Sequence, residues 1–275
     1  MLAATEMPAA PVFGSALRRV RQARRLSQLD LALHAEVSQR HLSFLESGRA
    51  QPSRPMVLQL AQALDLPLRE RNRLLGAAGF APLFQQRALA SADMAPVRGA
   101  LELLLKHHEP YPALVIDRAW NLVMQNDACT RVFSLLGKLD EVWQRVCGDG
   151  PRNMLMLTCH PQGLQPYLVN FEEIATYLVV RTQQEALHHP EAQAVVEAVL
   201  RFPGMPRKLA ANDPGAIPLP VLPTHLRAHG VDLRMFTMLA TFGTPQDLTT
   251  DELRVESFFP MDAQSEMLLR KLSGQ

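Results

Sequence analysis

Three serines, each directly before a short helical pattern, constrain what residues 13–78 can fold into. Ser27, Ser38 and Ser53 are favoured N-cap residues, because a serine hydroxyl accepts a hydrogen bond from a backbone N–H that the first helical turn leaves unpaired. Asp30, three residues after Ser27, completes a variant of the capping box. We therefore expect this stretch to consist of short helices only.

Five helices are expected within residues 11–79. Apolar residues from Phe13 onward follow helical spacing, Gly48 ends the third helix, and the fifth covers about 68–78. Ala32 is the small residue that a helix-turn-helix needs where its two helices meet. Apolar residues stand where this pair would pack on another helix: Leu29, Leu33, Val37, Leu42 and Leu45. Polar residues remain for the outward face of the second helix: Ser38, Gln39, Arg40, His41, Ser43 and Glu46.

The charge is distributed unevenly along the chain. Residues 11–80 hold eleven arginines, no lysine and five acids, a net charge of +6, whereas residues 81–275 carry −4. The net charge of +1 for the whole chain hides this asymmetry. A basic head on an acidic remainder is typical of a nucleic-acid-binding module with a companion domain. Double-stranded DNA is therefore the expected partner of the first part.

The first part resembles the lambda-repressor-like (XRE) helix-turn-helix family over most of residues 13–78. The residues that carry the resemblance are Leu26-Ser27-Gln28, Leu31-Ala32, Val37-Ser38, Leu42 through Arg49, and Pro52-Ser53. One departure is Glu36, which stands where the family commonly has glycine in the turn. A left-handed backbone costs a residue other than glycine roughly 1–2 kcal/mol, so we expect a strained or differently shaped turn.

The resemblance implies roles in DNA binding for a set of outward residues. Phosphate contacts are implied for Gln28 and Ser38, base contacts for Gln39, Arg40, Ser43 and Phe44, and a place on the same face for His41. Arg49 and Arg54, beyond the second helix, suit contacts to the sugar–phosphate backbone. The chemistry agrees, since arginine reads guanine, glutamine reads adenine and an aromatic ring can touch the thymine methyl. A core or linker-facing position for Phe44 stays open, as does a merely solvated face for the arginines.

The pattern changes after a linker, expected over residues 80–95. From 96 to 262 we expect a helix, a β-hairpin turning at Asp117-Arg118, several helices and three further strands. The expected strands are 112–117, 120–125, 221–227, 232–242 and 252–259, and the proline-rich stretch 203–223 is expected to be irregular. Helices between the second and third of five strands give a PAS-like order, an antiparallel sheet covered on one face. The expected fold class is α+β, an all-α five-helix domain followed by a PAS-like domain.

Several short stretches of the second part carry a family resemblance: Glu109–Ala113, Val115–Arg118, Trp120-Asn121, Asn126–Ala128, Arg152–Met154 and Glu252–Pro260. In these stretches the chain is similar to the MmyB-like ligand-binding domain, which follows an XRE head in a group of bacterial regulators. The resemblance implies a PAS-like sensor whose ligand is a fatty acid or a similar apolar molecule. No other cofactor is expected.

The residue types of the second part are compatible with an apolar pocket. Nine of the twelve methionines lie beyond residue 81, and methionine suits adaptable apolar surfaces, although it is also ordinary core filler. Candidate lining residues are Met124, Phe133, Tyr177, Met235, Phe236 and Met238. Strand alternation puts Phe236 and Met238 on one face and Met235 on the other, so at most one of these sets lines the pocket.

We expect neither a metal site nor an enzyme. The pairs His107-His108 and His188-His189 lack the spacing of helical metal ligands, and Cys159-His160 has no partner at metal spacing. The cysteines at 129, 147 and 159 give neither a disulfide framework nor a CxxC pair. Residues 1–11 lack the layout of a signal peptide, and no apolar run reaches the roughly 18 residues of a membrane span, so we expect a cytoplasmic protein with no membrane partner.

Together these features predict a ligand-responsive transcription regulator, a homodimer whose two-fold symmetry matches two DNA half-sites. Two alternatives stay open. In one, the second domain is only a dimerisation or protein-interaction module, which a closed, well-filled core under the sheet would favour. In the other, the helix-turn-helix binds a protein in the manner of an antitoxin, against which the arginine-rich head and the large second domain speak.

Overall fold

The protein is described by a computed structural model that covers residues 13–186, 189–206 and 221–274. The expectations for residues 1–11, for most of the proline-rich stretch and for His188 lie outside the described residues. The chain divides into two compact units. The first comprises residues 1–87 and 244–251, and the second comprises residues 88–243 and 252–275.

The described residues before position 80 form five helices. They are α1 (Phe13–Ala23), α2 (Gln28–His34), α3 (Gln39–Glu46), α4 (Arg54–Ala63) and α5 (Leu68–Ala77). Ser27 and Asp30 form the expected capping box, in which each side chain accepts the other residue's backbone N–H. Gly48 and Gly79 follow helix ends with φ angles of 74° and 83°, a region that favours glycine. The local signals thus predict these helices correctly.

Two leucines of α2 lie outside the core that was expected to hold them. Leu29 and Leu33 are 50% and 67% exposed, whereas Leu31 and Ala32 are buried. The prediction for Leu29 and Leu33 is wrong because a helix of seven residues presents only one narrow stripe to its neighbours.

The turn between α2 and α3 keeps a left-handed residue although it has no glycine. Glu36 adopts a φ of 51°. The turn therefore has the conformation that glycine adopts most easily, and Glu36 carries the steric cost of its side chain there.

The second unit is built on a five-stranded antiparallel sheet with the order β2-β1-β5-β4-β3. Its strands are β1 (Ala113–Ile116), β2 (Leu122–Gln125), β3 (Pro223–Ala228), β4 (Val231–Ala240) and β5 (Arg254–Pro260). The helices that follow α5 along the chain are α6 (Ala95–His107), α7 (Asp127–Phe133), α8 (Leu139–Cys147), α9 (Met154–Cys159), α10 (Phe171–Ala186), α11 (Pro190–Val199), α12 (Leu248–Glu252) and α13 (Ala263–Leu272). The expected α+β class and the five-stranded antiparallel sheet are confirmed.

Side-chain alternation gives the sheet two different faces. On one face, Leu114 of β1 and Met235 of β4 join the large core formed with α7 to α11 and α13. On the other face, Val115 of β1 and Val255 of β5 pack against Leu101 of α6. The expectation of a sheet covered on one face only is therefore wrong, because α6 packs on the second face and the centre of the sheet is buried from both sides.

The connection between β4 and β5 belongs to the first unit, although both strands belong to the second. The carboxylate of Asp247 accepts a hydrogen bond from Nη1 of Arg87 at 3.0 Å. Oδ2 of Asp251 accepts the backbone N–H of Leu68 at 3.2 Å. Asp251 thereby caps α5, whose own N-cap residue, Pro67, makes no side-chain hydrogen bond to the helix. We name residues 244–251 the shared segment.

Candidate DNA-binding surface and ligand cavity

Helix α3 turns a polar face outward from the first unit. Ser38 caps the helix, because its hydroxyl accepts the backbone N–H of His41 at 3.1 Å. Gln39 and Arg40 are exposed, His41 is half-buried, and Leu42 lies in the core. A short helix with one buried stripe and exposed amide and guanidinium groups can place donors and acceptors in a major groove.

Arg40 and Phe44 are neighbours one turn apart on α3. The guanidinium carbon of Arg40 lies 5.4 Å from the centroid of the Phe44 ring, which is within the range of a cation–π contact. Phe44 is half-buried, like Ser43 before it, and it does not belong to the core of the first unit among the described residues. The ring therefore supports the guanidinium and restricts its freedom at the surface.

Arg49 and Arg54 are exposed on the connection between α3 and α4. The backbone N–H of Arg49 donates to the carbonyl oxygen of Phe44 at 2.9 Å, which fixes Arg49 to the end of α3. Arg54 is the first residue of α4 and directly follows the cap Ser53. Guanidinium groups at these places suit contacts to phosphates.

Glu46 is buried, so the expectation that it faces outward is wrong. Its carboxylate accepts hydrogen bonds from Nε of Arg21 at 2.6 Å, Nη2 of Arg21 at 3.0 Å, Nε2 of Gln28 at 2.8 Å and Nε of Arg18 at 3.3 Å. Burial by itself would raise the pKa of Glu46, but the bonds from Arg21 and Gln28 outweigh it and hold the pKa below its usual value. A carboxylate with this many donors can be buried as an anion.

The same network changes what Gln28 can do. The side chain of Gln28 is half-buried, and one N–H of its amide is directed at Glu46. Its second amide N–H is still a donor that a phosphate could accept. The phosphate contact of Gln28 therefore stays a prediction.

A cavity of about 430 Å³ lies in the second unit, between one face of the sheet and α7, α9 and α10. Its walls are mainly apolar and include Met154 of α9, Ile174 of α10 and Leu226 of β3. Small-molecule pockets have volumes of roughly 300–1,000 Å³ and apolar walls with a few polar groups. The cavity therefore has the size and lining of a ligand site.

The predicted lining residues divide between the two faces of the sheet. Those that line the cavity are Phe133 of α7, Tyr177 of α10 and Met235 of β4. Phe236 and Met238 alternate with Met235 and project from the opposite face, and Met124 of β2 packs in the small core under α6. These three residues do not line the cavity, because the sheet lies between them and it.

Two charged residues interrupt the apolar wall, and sequence reasoning missed both. Glu256 of β5 and Arg181 of α10 line the cavity. Burial raises the pKa of Glu256 to about 7, and the positive charge of Arg181 opposes that rise. The sequence contains only a weak signal, because β5, the middle strand of the sheet, carries Arg254 and Ser257 besides Glu256.

Trp120 is a further lining residue that was not predicted. It is only 3% exposed, and its φ of 67° is unusual for a bulky side chain. Oδ1 of Asp117 stabilises this turn by accepting the backbone N–H groups of Ala119 and Asn121 at 2.8 and 2.9 Å. The indole Nε1 makes no hydrogen bond to any described residue. A buried indole N–H without a hydrogen-bond acceptor is uncommon in a well-packed protein core.

The part of the chain that the structure describes contains no cluster of three His, Cys, Asp or Glu side chains that could hold a metal ion. Cys129 and Cys159 are buried thiols. Burial raises the pKa of Cys159 to about 12 and that of Cys129 well above its usual value, so both stay protonated. None of the described helices combines the length and the apolar run that crossing a membrane requires.

Comparison with known families assigns both units. Residues 12–74 match a helix-turn-helix domain. Residues 97–272, more than half of the chain, match the MmyB-like transcription regulator ligand binding domain and include the sheet and the cavity. None of the curated proteins matches the chain. The chain therefore belongs to the family of transcription regulators in which a helix-turn-helix domain precedes an MmyB-like ligand-binding domain.

Proposed function

We propose that an apolar, single-chain molecule of the fatty-acid type occupies the cavity and changes the affinity of the helix-turn-helix for operator DNA. The observation that supports this proposal is the cavity of about 430 Å³ with mainly apolar walls. The alternative of a pure dimerisation or protein-interaction module requires a filled core under the sheet, and the cavity weighs against it. Neither role is that of an enzyme.

The mode of DNA binding that we propose is that of lambda-repressor-like (XRE) domains. Helix α3 enters the major groove of double-stranded DNA, with Gln39 and Arg40 at the base edges and Arg49 and Arg54 on the phosphates. The exposure of all four side chains supports this assignment. The protein acts in the cytoplasm as a homodimer, so that two copies of α3 meet two half-sites.

We propose that each domain expected from the sequence has its own role. Residues 11–79 bind DNA, residues 80–95 link the domains, and residues 96–262 bind the ligand. A ligand can change DNA binding only if it has different affinities for two arrangements of the dimer. An altered pairing of the ligand-binding domains, which changes the spacing of the two recognition helices, is such an arrangement.

Tryptophan fluorescence of the full chain tests ligand entry. The chain has two tryptophans, Trp120 and Trp143, both in the second unit, and Trp120 lines the cavity. Dodecanoic acid and dodecanol should each give a saturable change in fluorescence and a rise in melting temperature. At a ligand concentration of a hundred times Kd, the stabilisation should reach about 2.7 kcal/mol.

Matched variants separate the cavity from the rest of the surface. Met235→Trp fills the cavity from β4 and should abolish the rise in melting temperature. Met267→Trp adds the same side chain at a position of α13 that is 65% exposed, and it should behave as the wild type. If no chain binds and native mass spectrometry finds no co-purified small molecule, the dimerisation module becomes the better explanation.

A further inference from the structure

Glu256 stands on a central strand, on the face that forms the cavity wall. In β5 it pairs with Leu114 of β1 on one side and with Leu239 of β4 on the other. Three ionisable side chains of the helices over this face line the same cavity: Cys129 of α7 with Tyr177 and Arg181 of α10. Burial raises the pKa of Cys129 well above its usual value, so the thiol stays protonated, and Arg181 is the charged side chain among these three.

Arg181 does not pair directly with Glu256. Its Nε donates to Oε1 of Glu185 at 3.1 Å, and Oε2 of the same carboxylate accepts from Nη1 of Arg254 at 2.7 Å. Arg181 acts on Glu256 only through space. Among the described residues, no group donates a hydrogen bond to the Glu256 carboxyl. The Glu256 carboxyl is thus an acceptor in the cavity wall to which no described side chain donates.

A carboxylate that is half-buried in an apolar wall, with no hydrogen-bond donor from the protein, is less stable as an ion than one in water. Burial accordingly raises the pKa of Glu256 to about 7. About one unit above that pKa the group is mainly ionised and can only accept hydrogen bonds. A ligand head that donates a hydrogen bond would satisfy it, whereas a ligand carboxylate would bring a second negative charge to the same place.

We propose that Glu256 recognises the head group of the ligand, so that the cavity prefers an apolar chain ending in an alcohol or a primary amine to the same chain ending in a carboxylate. The inference rests on the proposed function, since it requires an apolar chain in the cavity, and it changes only the head of that chain, which becomes an alcohol or an amine in place of the carboxylate of a fatty acid. Recognition by one unpaired acceptor is selective, because a head that cannot donate leaves the acceptor unpaired.

The experiment compares decanol, decylamine and decanoate, which share one chain length, by tryptophan fluorescence of the full chain at about pH 8. Decanol and decylamine should bind about tenfold more tightly than decanoate, a ratio within reach of one charge-assisted hydrogen bond. In Glu256→Gln this preference should disappear, because the neutral amide accepts from an alcohol and also donates to a carboxylate. Glu172→Gln changes an exposed glutamate in the first turn of α10 and should keep the wild-type order.

A second measurement needs no variant. Lowering the pH to about 6 protonates Glu256 while decanoate stays ionised, so the disadvantage of decanoate should shrink in the wild type. Decanoate binding as tightly as decanol at about pH 8, or an unchanged order in Glu256→Gln, would overturn the role of Glu256. If none of the three chains gives a saturable signal, the proposed function itself fails and the inference falls with it.

Discussion

Arg21 and Glu46 form a buried ion pair that joins α1 to α3, with Nε of Arg21 2.6 Å from Oε1 of Glu46. Their side chains are 10% and 0% exposed. Glu46 is the last residue of α3, so the pair fixes the end of the helix that carries the outward polar face. The orientation of α3 therefore depends on a charged contact as well as on apolar packing.

Removing the carboxylate of Glu46 should strongly destabilise the folded protein. Glu46→Ala leaves the guanidinium of Arg21 buried without its partner, and we expect a loss of about 3–5 kcal/mol in the free energy of unfolding. Urea unfolding followed by the helical circular dichroism signal measures this loss. Arg18→Ala is the control, since Arg18 is half exposed and its bond to Glu46 is 3.3 Å long, so its removal should cost less than about 1 kcal/mol. Equal effects of the two variants would contradict the central role of Arg21.

The backbone of α1 passes close to the end of α3 at Gly14. A Cβ atom there would lie 2.5 Å from the carbonyl oxygen of Leu45 and 2.6 Å from that of Glu46. Gly14→Ala should therefore displace α3, lower the free energy of unfolding by about 1–3 kcal/mol and weaken DNA binding. Gly76→Ala in α5 meets open space and should be neutral or stabilising by up to about 1 kcal/mol. Unfolding and gel-shift titrations of the two variants check the contrast, which a stable Gly14→Ala protein would refute.

Arg40 and Arg49 should contribute differently to DNA binding, since Arg40 is proposed to contact a base and Arg49 a phosphate. Arg40→Ala removes a side chain from the outward face of α3 and should cost about 1–3 kcal/mol of binding while relaxing the preference at one base position. Arg49→Ala should weaken binding to all sequences alike and lower the salt slope by about one unit. Titrations on operator variants at several salt concentrations distinguish the two effects. An unchanged sequence preference in Arg40→Ala would rule out its role in base reading.

Glu256 should make the stability of the second unit depend on pH. Its pKa is about 7 in the folded chain against an ordinary value of 4.5, so the folded state keeps a proton that the unfolded state has released. The stability from this proton is complete below the unfolded pKa and is lost as the pH rises through the folded pKa. Between about pH 5 and 8 the wild type should lose on the order of 2–3 kcal/mol more than Glu256→Gln. Urea unfolding followed by tryptophan fluorescence at both pH values measures the difference, and parallel pH profiles would contradict it.

The helix starts of the first unit could be predicted because an N-cap acts within its own turn. Ser27 and Ser38 each bond a backbone group only three residues away. The burial of Glu46 could not be predicted in this way, because its strongest partner, Arg21, lies 25 residues earlier in the chain. The exposure of Leu29 could not be predicted either, because it depends on which helices pack against α2 in the folded protein.

The strands of the second unit could be predicted from alternation, but the face that lines the cavity could not. Alternation separates Met235 from Met238, whereas the choice between them depends on which helices cover which side. Helix α13 had a local signal that sequence reasoning overlooked, since Asp262 caps it by accepting the N–H of Ser265 at 2.7 Å. Helix α12 spans only five residues, which is too short for a periodic pattern to reveal.

Because of the shared segment, neither unit can readily be replaced by the corresponding unit of another protein. A protein cut after residue 87 would lose the carboxylate of Asp251 that caps α5, together with the bond between Asp247 and Arg87. A fragment that starts in α6 would keep a loop between β4 and β5 whose hydrogen-bonding surface had been deleted. Recombination that joins a new ligand-binding domain to this head would therefore have to carry a matching loop, so the two units are expected to be inherited together.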